Sequence, residues 1–158
     1  MRIALPDSEA TEALGRVLAA TRPQPAVLHL HGELGAGKST LARALLRELG
    51  VQGPIRSPTY TLVERYPVPG GEAWHLDLYR IGAAGELDFL GLDGDEATLW
   101  LVEWPERGAG ALATPDLRIH LAQEGAGRQA RLETASPAGQ LWLAAIQETG
   151  RLQPLSSG

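Results

Sequence analysis

The chain has 158 residues, a formal net charge of -5, 44% hydrophobic residues and no cysteine. That length suits one domain with a real core, the missing cysteine excludes disulfides and thiolate chemistry, and no run approaches the ~18 uncharged apolar residues a membrane helix needs. The negative charge argues against a large nucleic-acid surface on this chain, because phosphate backbones are bound by clustered cations. The apolar part of "MRIALPDSEAT" is too short for a secretion signal, so a cytoplasmic location is expected.

Pro6, Asp7 and Ser8 are helix-start residues, and Ala10, Ala13, Leu14, Val17 and Leu18 then recur at helical spacing. "AVLHL" (26–30) reads as a buried strand. Residues 38–49 read as a helix with Leu41, Ala44, Leu45 and Leu49 inward and Gly50 as the stop. "TLVERYP" and "AWHLDLY" flank the turn signal "VPGG" and predict a hairpin. "GELDFLGLDGDEA" predicts short helical pieces, and "LWLVEW" (99–104) a strand. "DLRIHLAQ" and "RQARLETA" around "EGAG" predict a second hairpin, and "SPAGQLWLAAIQE" a closing helix behind a Ser-Pro cap pair. Residues 151–158 are expected to form a flexible tail on a single domain spanning 1–158.

Between the first buried strand and the helix after it lie Gly32, Glu33, Leu34, Gly35, Ala36, Gly37, Lys38, Ser39 and Thr40. They fill every fixed position of G-x-x-x-x-G-K-[ST], with a strand before and a helix after. Glycines let backbone N–H groups turn toward phosphates, and the helix N-terminus adds partial positive charge. Lys38 is the single lysine beside 13 arginines. A compact ammonium fits between phosphates where a planar guanidinium does not. Lys38 is therefore expected on the β- and γ-phosphates of a nucleotide, with the Ser39 hydroxyl on Mg²⁺. With the alternating elements, this predicts a P-loop NTPase-like three-layer α/β fold with a mixed central sheet and antiparallel hairpins.

Magnesium at such a loop needs a carboxylate at a neighbouring strand end. "LWLVE" delivers Glu103 and "AWHLD" delivers Asp77. Glu103 ends the cleaner apolar run and is expected on the metal, while Asp77 is the candidate for orienting the attacking group. Ser57 and Thr59 of "SPTY" lie where a loop sensing the γ-phosphate would sit, although Ser-Pro is also ordinary turn chemistry. Asp88-Phe89-Leu90-Gly91 mimics a GTPase D-x-x-G, but no apolar strand precedes it, and a chain with one lysine has no guanine-reading N/T-K-x-D. His29 and His31 share a strand face, yet no third ligand of metal-site type accompanies them. His120 reads as structural. Trp100 and Trp104 read as core, with a partner surface as the alternative for Trp104.

"GELGAGKST", "SPTYTLVE", "HLDLYR", "ELDFLGL" and "LVEWPERG" in this order resemble the TsaE (YjeE) family, the bacterial P-loop ATPases of tRNA threonylcarbamoyladenosine biosynthesis. The resemblance runs from about Asp7 to the closing helix. It implies an ATPase that works with a TsaB–TsaD complex, in which TsaD transfers a threonylcarbamoyl group to N6 of adenosine 37 in ANN-decoding tRNAs. Hydrolysis of ATP would support repeated turnover of that complex, and tRNA would be met only through it. The resemblance implies roles for Lys38 on phosphates, Ser39 and Glu103 on Mg²⁺, and Asp77 and Thr59 near the γ-phosphate. It also places the nucleotide against Ser8 through Thr11 and against Gly127 and Arg128. Ser39 stands where threonine is usual, which keeps the metal-binding hydroxyl. Two rival readings are a P-loop kinase of a small molecule and a nucleotide-gated binding module without turnover. The region 51–72 is short for a kinase lid and carries only Arg56 and Arg65.

Overall fold

A computed structural model describes residues 1–92 and 96–152. Residues 93–95, from the stretch expected to hold short helical pieces, and 153–158, most of the expected tail, lie outside the described residues. In chain order the elements are β1 (Arg2–Leu5), α1 (Ser8–Thr21), β2 (Ala26–His31), α2 (Lys38–Glu48), β3 (Val63–Val68), β4 (Gly71–Asp77), β5 (Ala97–Glu103), β6 (Leu117–Glu124), β7 (Gly127–Thr134) and α3 (Pro137–Thr149). Two 3₁₀ segments, Ala84–Leu90 and Pro105–Gly108, flank β5.

The seven strands form one sheet in the order β1-β7-β6-β2-β5-β4-β3. Its centre is parallel, with β2 between β6 and β5, and β4 beyond β5. Both expected hairpins, β3–β4 and β6–β7, are antiparallel and carry the sheet outward from that centre. The result is an α/β fold with a mixed sheet. β1 was not expected from the sequence. Four residues are too few to show a period of their own, and the strand forms by pairing antiparallel with β7, which buries Ile3 and Leu5.

Alternation along the strands divides the core. Leu28, Leu30, Leu99, Leu101, Leu117, Ile119 and Leu121 join Leu14, Val17, Leu18, Leu41, Leu45, Leu46, Trp142 and Ile146 of the three helices in one cluster. Opposite-parity residues Trp74, Leu76 and Val102 meet Leu78, Ile81 and Leu87 in a second cluster, which closes the other face of β4 and β5 with help from the first 3₁₀ segment. Trp100 tilts against Trp74 there, ring centroids 4.8 Å apart, and is a core residue as expected. α2 buries Ala42 and Leu46 besides Leu41 and Leu45, while Ala44 and Leu49 are half-buried. The helix is wedged against α1 as well as the sheet: a Cβ on Gly15 would stand 2.7 Å from the carbonyl oxygen of Leu41 and 2.9 Å from the Cβ of Ala44. No described helix is long and apolar enough to cross a membrane.

Helix starts follow local chemistry. Asp7 caps α1 by accepting from the Ala10 N–H at 2.9 Å, and Ser136 caps α3 by accepting from the Gly139 N–H at 2.9 Å. α2 has no side-chain cap: Gly37 precedes it with φ +108° and leaves the first-turn N–H groups open.

On the second face of the sheet, His29 is 7% exposed and its Nε2 has no partner among the described residues. Burial lowers its pKa to about 4, and positive charge on His31 and Arg118 acts in the same direction. A folded-state value below the ordinary 6.5 means that the unfolded chain takes up a proton first. The neutral ring's contribution is therefore complete above about pH 6.5 and is lost as pH falls toward 4. Urea unfolding of the parent and His29→Gln across that window is expected to show a smaller loss of midpoint in the variant. Parallel curves would remove His29 as the cause of the acid sensitivity.

Candidate active site

β2 delivers the chain to Gly32 at the C-terminal edge of the parallel strands. A Cβ there would fall 2.6 Å from the carbonyl oxygen of Leu121, so the loop leaves β2 past β6 only as glycine. The loop closes through the Ala36 N–H donating to the Glu33 carbonyl at 3.1 Å and enters α2 at its uncapped start. Free N–H groups, a helix dipole and Lys38 thus converge on one cleft.

Lys38 is 5% exposed. Its ammonium donates to the carbonyls of Gly32 and, at 3.2 Å, Glu33, and lies 4.1 Å from the centroid of a Trp104 ring. Burial holds Lys38 below the usual lysine range; Glu103 and then Asp77 are the strongest opposing charges. Both carboxylates arrive through strand order. Glu103 ends β5 opposite Leu30 of β2, and Asp77 ends β4 opposite Glu103. Burial raises the Asp77 pKa; the Tyr79 N–H at 3.0 Å works against this and the Glu103 charge adds to it. Thr59 Oγ1 donates to Asp77 Oδ2 at 3.4 Å and pairs with Ser57 Oγ at 2.7 Å. The Asp77 N–H donates to the Leu62 carbonyl at 3.1 Å, which ties the "SPTY" loop to the end of β4.

Leu34, Gly35, Gly37, Lys38, Ser39, Thr40, Asp77, Glu103 and Trp104 line a cleft of about 190 Å³. A second cleft of about 260 Å³ shares Gly35, Gly37 and Thr40 with it and is walled by Ser8, Thr11, Gly127 and Arg128. Arg128 Nη2 donates to the Gly35 carbonyl at 3.0 Å, so the β6–β7 turn reaches across to the loop. Within the loop, Ala36 is buried and Leu34 is exposed at the mouth. The hard-oxygen donors of the cleft, Ser39, Asp77 and Glu103, fit Mg²⁺ rather than a thiophilic metal. Among the described residues no group of three or more His, Cys, Asp or Glu is placed to hold a metal.

Of the arginines, Arg80 lies over the exposed ring of Tyr60, 4.9 Å away. Three residues near the cleft were given no site role by the sequence. Trp104 covers Lys38 from a left-handed backbone conformation, φ +56°, which no sequence period announces. Arg107 stacks on Tyr79 at 5.2 Å and lies 6.0 Å from Trp104. His75 Nε2 meets Glu103 Oε2 at 2.6 Å; its position two before Asp77, on the same strand face, was the available signal. Of the histidines of β2, His31 stacks on His120, centroids 4.6 Å apart, and lies 3.4 Å from Glu106.

Fold and site together define an α/β protein with a mixed seven-stranded sheet and a G-x-x-x-x-G-K-S loop between its first parallel strand and α2. Residues 5–131 match the family described as threonylcarbamoyl adenosine biosynthesis protein TsaE, and the chain belongs to that family. The tRNA threonylcarbamoyladenosine biosynthesis protein TsaE of Haemophilus influenzae is 42% identical over 97 residues, 60% of this chain and 61% of that protein, less than two thirds of its length. The protein of the same name from a Synechocystis species is 41% identical over 113 residues, 68% of this chain and 71% of its own. That of Streptomyces coelicolor is 35% identical over 138 residues, 84% and 93%. The crystal structure of Bacillus subtilis YdiB shares the fold, with a TM-score of 0.77 at 23% identity over 95% of both chains.

Proposed function

We propose that this chain is a Mg²⁺-dependent ATPase acting in tRNA threonylcarbamoyladenosine biosynthesis, bound to a TsaB–TsaD complex in the cytoplasm. The observation that carries the reading is the convergence of Lys38, Glu103 and Asp77 at the uncapped start of α2. In this reading, the loop N–H groups and Lys38 hold the β- and γ-phosphates, and Ser39 and Glu103 hold Mg²⁺. Bound there, the ion would neutralise charge developing on the transferred group. Asp77, steadied by the Tyr79 N–H and Thr59, orients the attacking water. The nucleoside lies between Ser8, Thr11 and the Gly127–Arg128 turn, with adenine favoured because the chain has no guanine-reading motif. Water as acceptor separates this reading from a kinase. Contact with tRNA is indirect, through TsaB–TsaD, as the net charge of -5 supports.

An arginine over the γ-phosphate is worth ~10³-fold or more; here Arg80 is engaged with Tyr60, Arg107 with Tyr79, and Arg128 with the Gly35 carbonyl. Slow hydrolysis alone and faster hydrolysis with partners is therefore the expected behaviour. Steady-state phosphate release at fixed ATP, with TsaB–TsaD titrated in, tests it. A rate already high alone and flat on titration overturns the partner-coupled mechanism. Phosphate appearing on a small molecule rather than in water favours the kinase.

A further inference from the structure

We infer that His75 is a positioning residue: its Nε2–H fixes the Glu103 carboxylate so that Oε1 stays free for a divalent cation. The inference rests on the proposed Mg²⁺-dependent reading and adds a residue to it. β4 and β5 run parallel with His75 opposite Leu101 and Asp77 opposite Glu103, so His75 reaches Glu103 diagonally across one face of the sheet. The bond is 2.6 Å, and both side chains are 3% exposed. Among the described residues Glu103 makes no other side-chain hydrogen bond, and His75 Nδ1 has no partner. An unpartnered buried N–H costs more than an unpartnered lone pair, so the ring proton belongs on Nε2. That bond occupies Oε2. A carboxylate's terminal torsion is otherwise broad, and a single strong donor converts it into one orientation. Outer partners of this kind orient metal-binding carboxylates, and their loss weakens metal binding by about 10- to 100-fold.

The test uses the full chain with a non-hydrolysable ATP analogue and Mn²⁺ as the spectroscopic probe, its binding followed by electron paramagnetic resonance. His75→Leu removes the donor at similar volume. His75→Asn keeps an amide but draws it back short of Glu103, and serves if the leucine variant does not fold. His75→Gln returns an N–H to the Nε2 position. The expected result is a 10- to 100-fold weaker Mn²⁺ affinity in His75→Leu and His75→Asn, most of it restored in His75→Gln, with analogue binding in EDTA unchanged. Unchanged Mn²⁺ affinity in folded His75→Leu or His75→Asn overturns the inference. So does an equal loss of metal-free analogue binding in all three variants, which marks a merely structural role. Glu103→Gln is the control. If it weakens Mn²⁺ binding while the His75 variants do not, the positioning role alone fails. If it too leaves Mn²⁺ binding unchanged, the metal reading fails and the inference with it.

Discussion

Replacing Lys38 by alanine is expected to lower ATP hydrolysis on the order of 10²- to 10³-fold in kcat while the protein stays folded. Lys38 is the single cation in the loop, and its ammonium already lies where loop carbonyls and the Trp104 ring surround it. On phosphate binding it would exchange those carbonyls for phosphate oxygens and stabilise charge that grows in the transition state. The fold is expected to survive because Lys38 is anchored locally, within the loop rather than in the core. Its hydrogen bonds go to two carbonyls of its own loop, and it belongs to neither hydrophobic cluster. Circular dichroism and thermal unfolding establish folding, and phosphate release the rate. A well-folded Lys38→Ala protein with undiminished turnover would remove the loop from the mechanism.

Glu103→Gln is expected to raise the Mg²⁺ requirement more than Asp77→Asn, and Asp77→Asn to lower turnover at saturating Mg²⁺ more than it shifts the requirement. Strand order carries the distinction. β5 lies directly against β2, so Glu103 sits beside Leu30, two residues before the loop opens at Gly32; Asp77 is one strand farther out, bonded to the Tyr79 N–H and to Thr59. Loss of a metal-binding carboxylate appears as a shifted Mg²⁺ titration, whereas loss of a water-orienting one appears in kcat. Titrating Mg²⁺ at fixed ATP in both variants separates the two. If Asp77→Asn alone shifts the midpoint, the two carboxylates have exchanged roles.

The loop was legible because its information is local. Gly32 through Ser39 are consecutive, and the turn, the open helix start and the lysine follow from residue types within eight positions. Asp77 and Glu103 were legible one at a time, as acids ending apolar runs, and so were the two hairpins and the capped starts of α1 and α3. Sequence also stated the family resemblance, which residues 5–131 bear out. What periodicity cannot state is adjacency. Arg128 meets Gly35 across 93 positions because the β6–β7 turn folds over the loop. β1 exists because β7 offers it an edge.

By itself, then, the sequence determined the family, the G-x-x-x-x-G-K-S motif and the positions of the acids, since each is written in neighbouring residues or in a strict local spacing. The order β6-β2-β5-β4 was decided only by the tertiary structure, and with it the pairing of Glu103 to Leu30 and of Asp77 to Glu103 that brings both acids to Lys38. The tertiary structure alone turned Trp104 over Lys38 and His75 toward Glu103. The physical reason is that a strand's apolar alternation fixes which side chains share a face but not which strand lies beside it; that choice is made when the whole sheet and its helices bury their surfaces together.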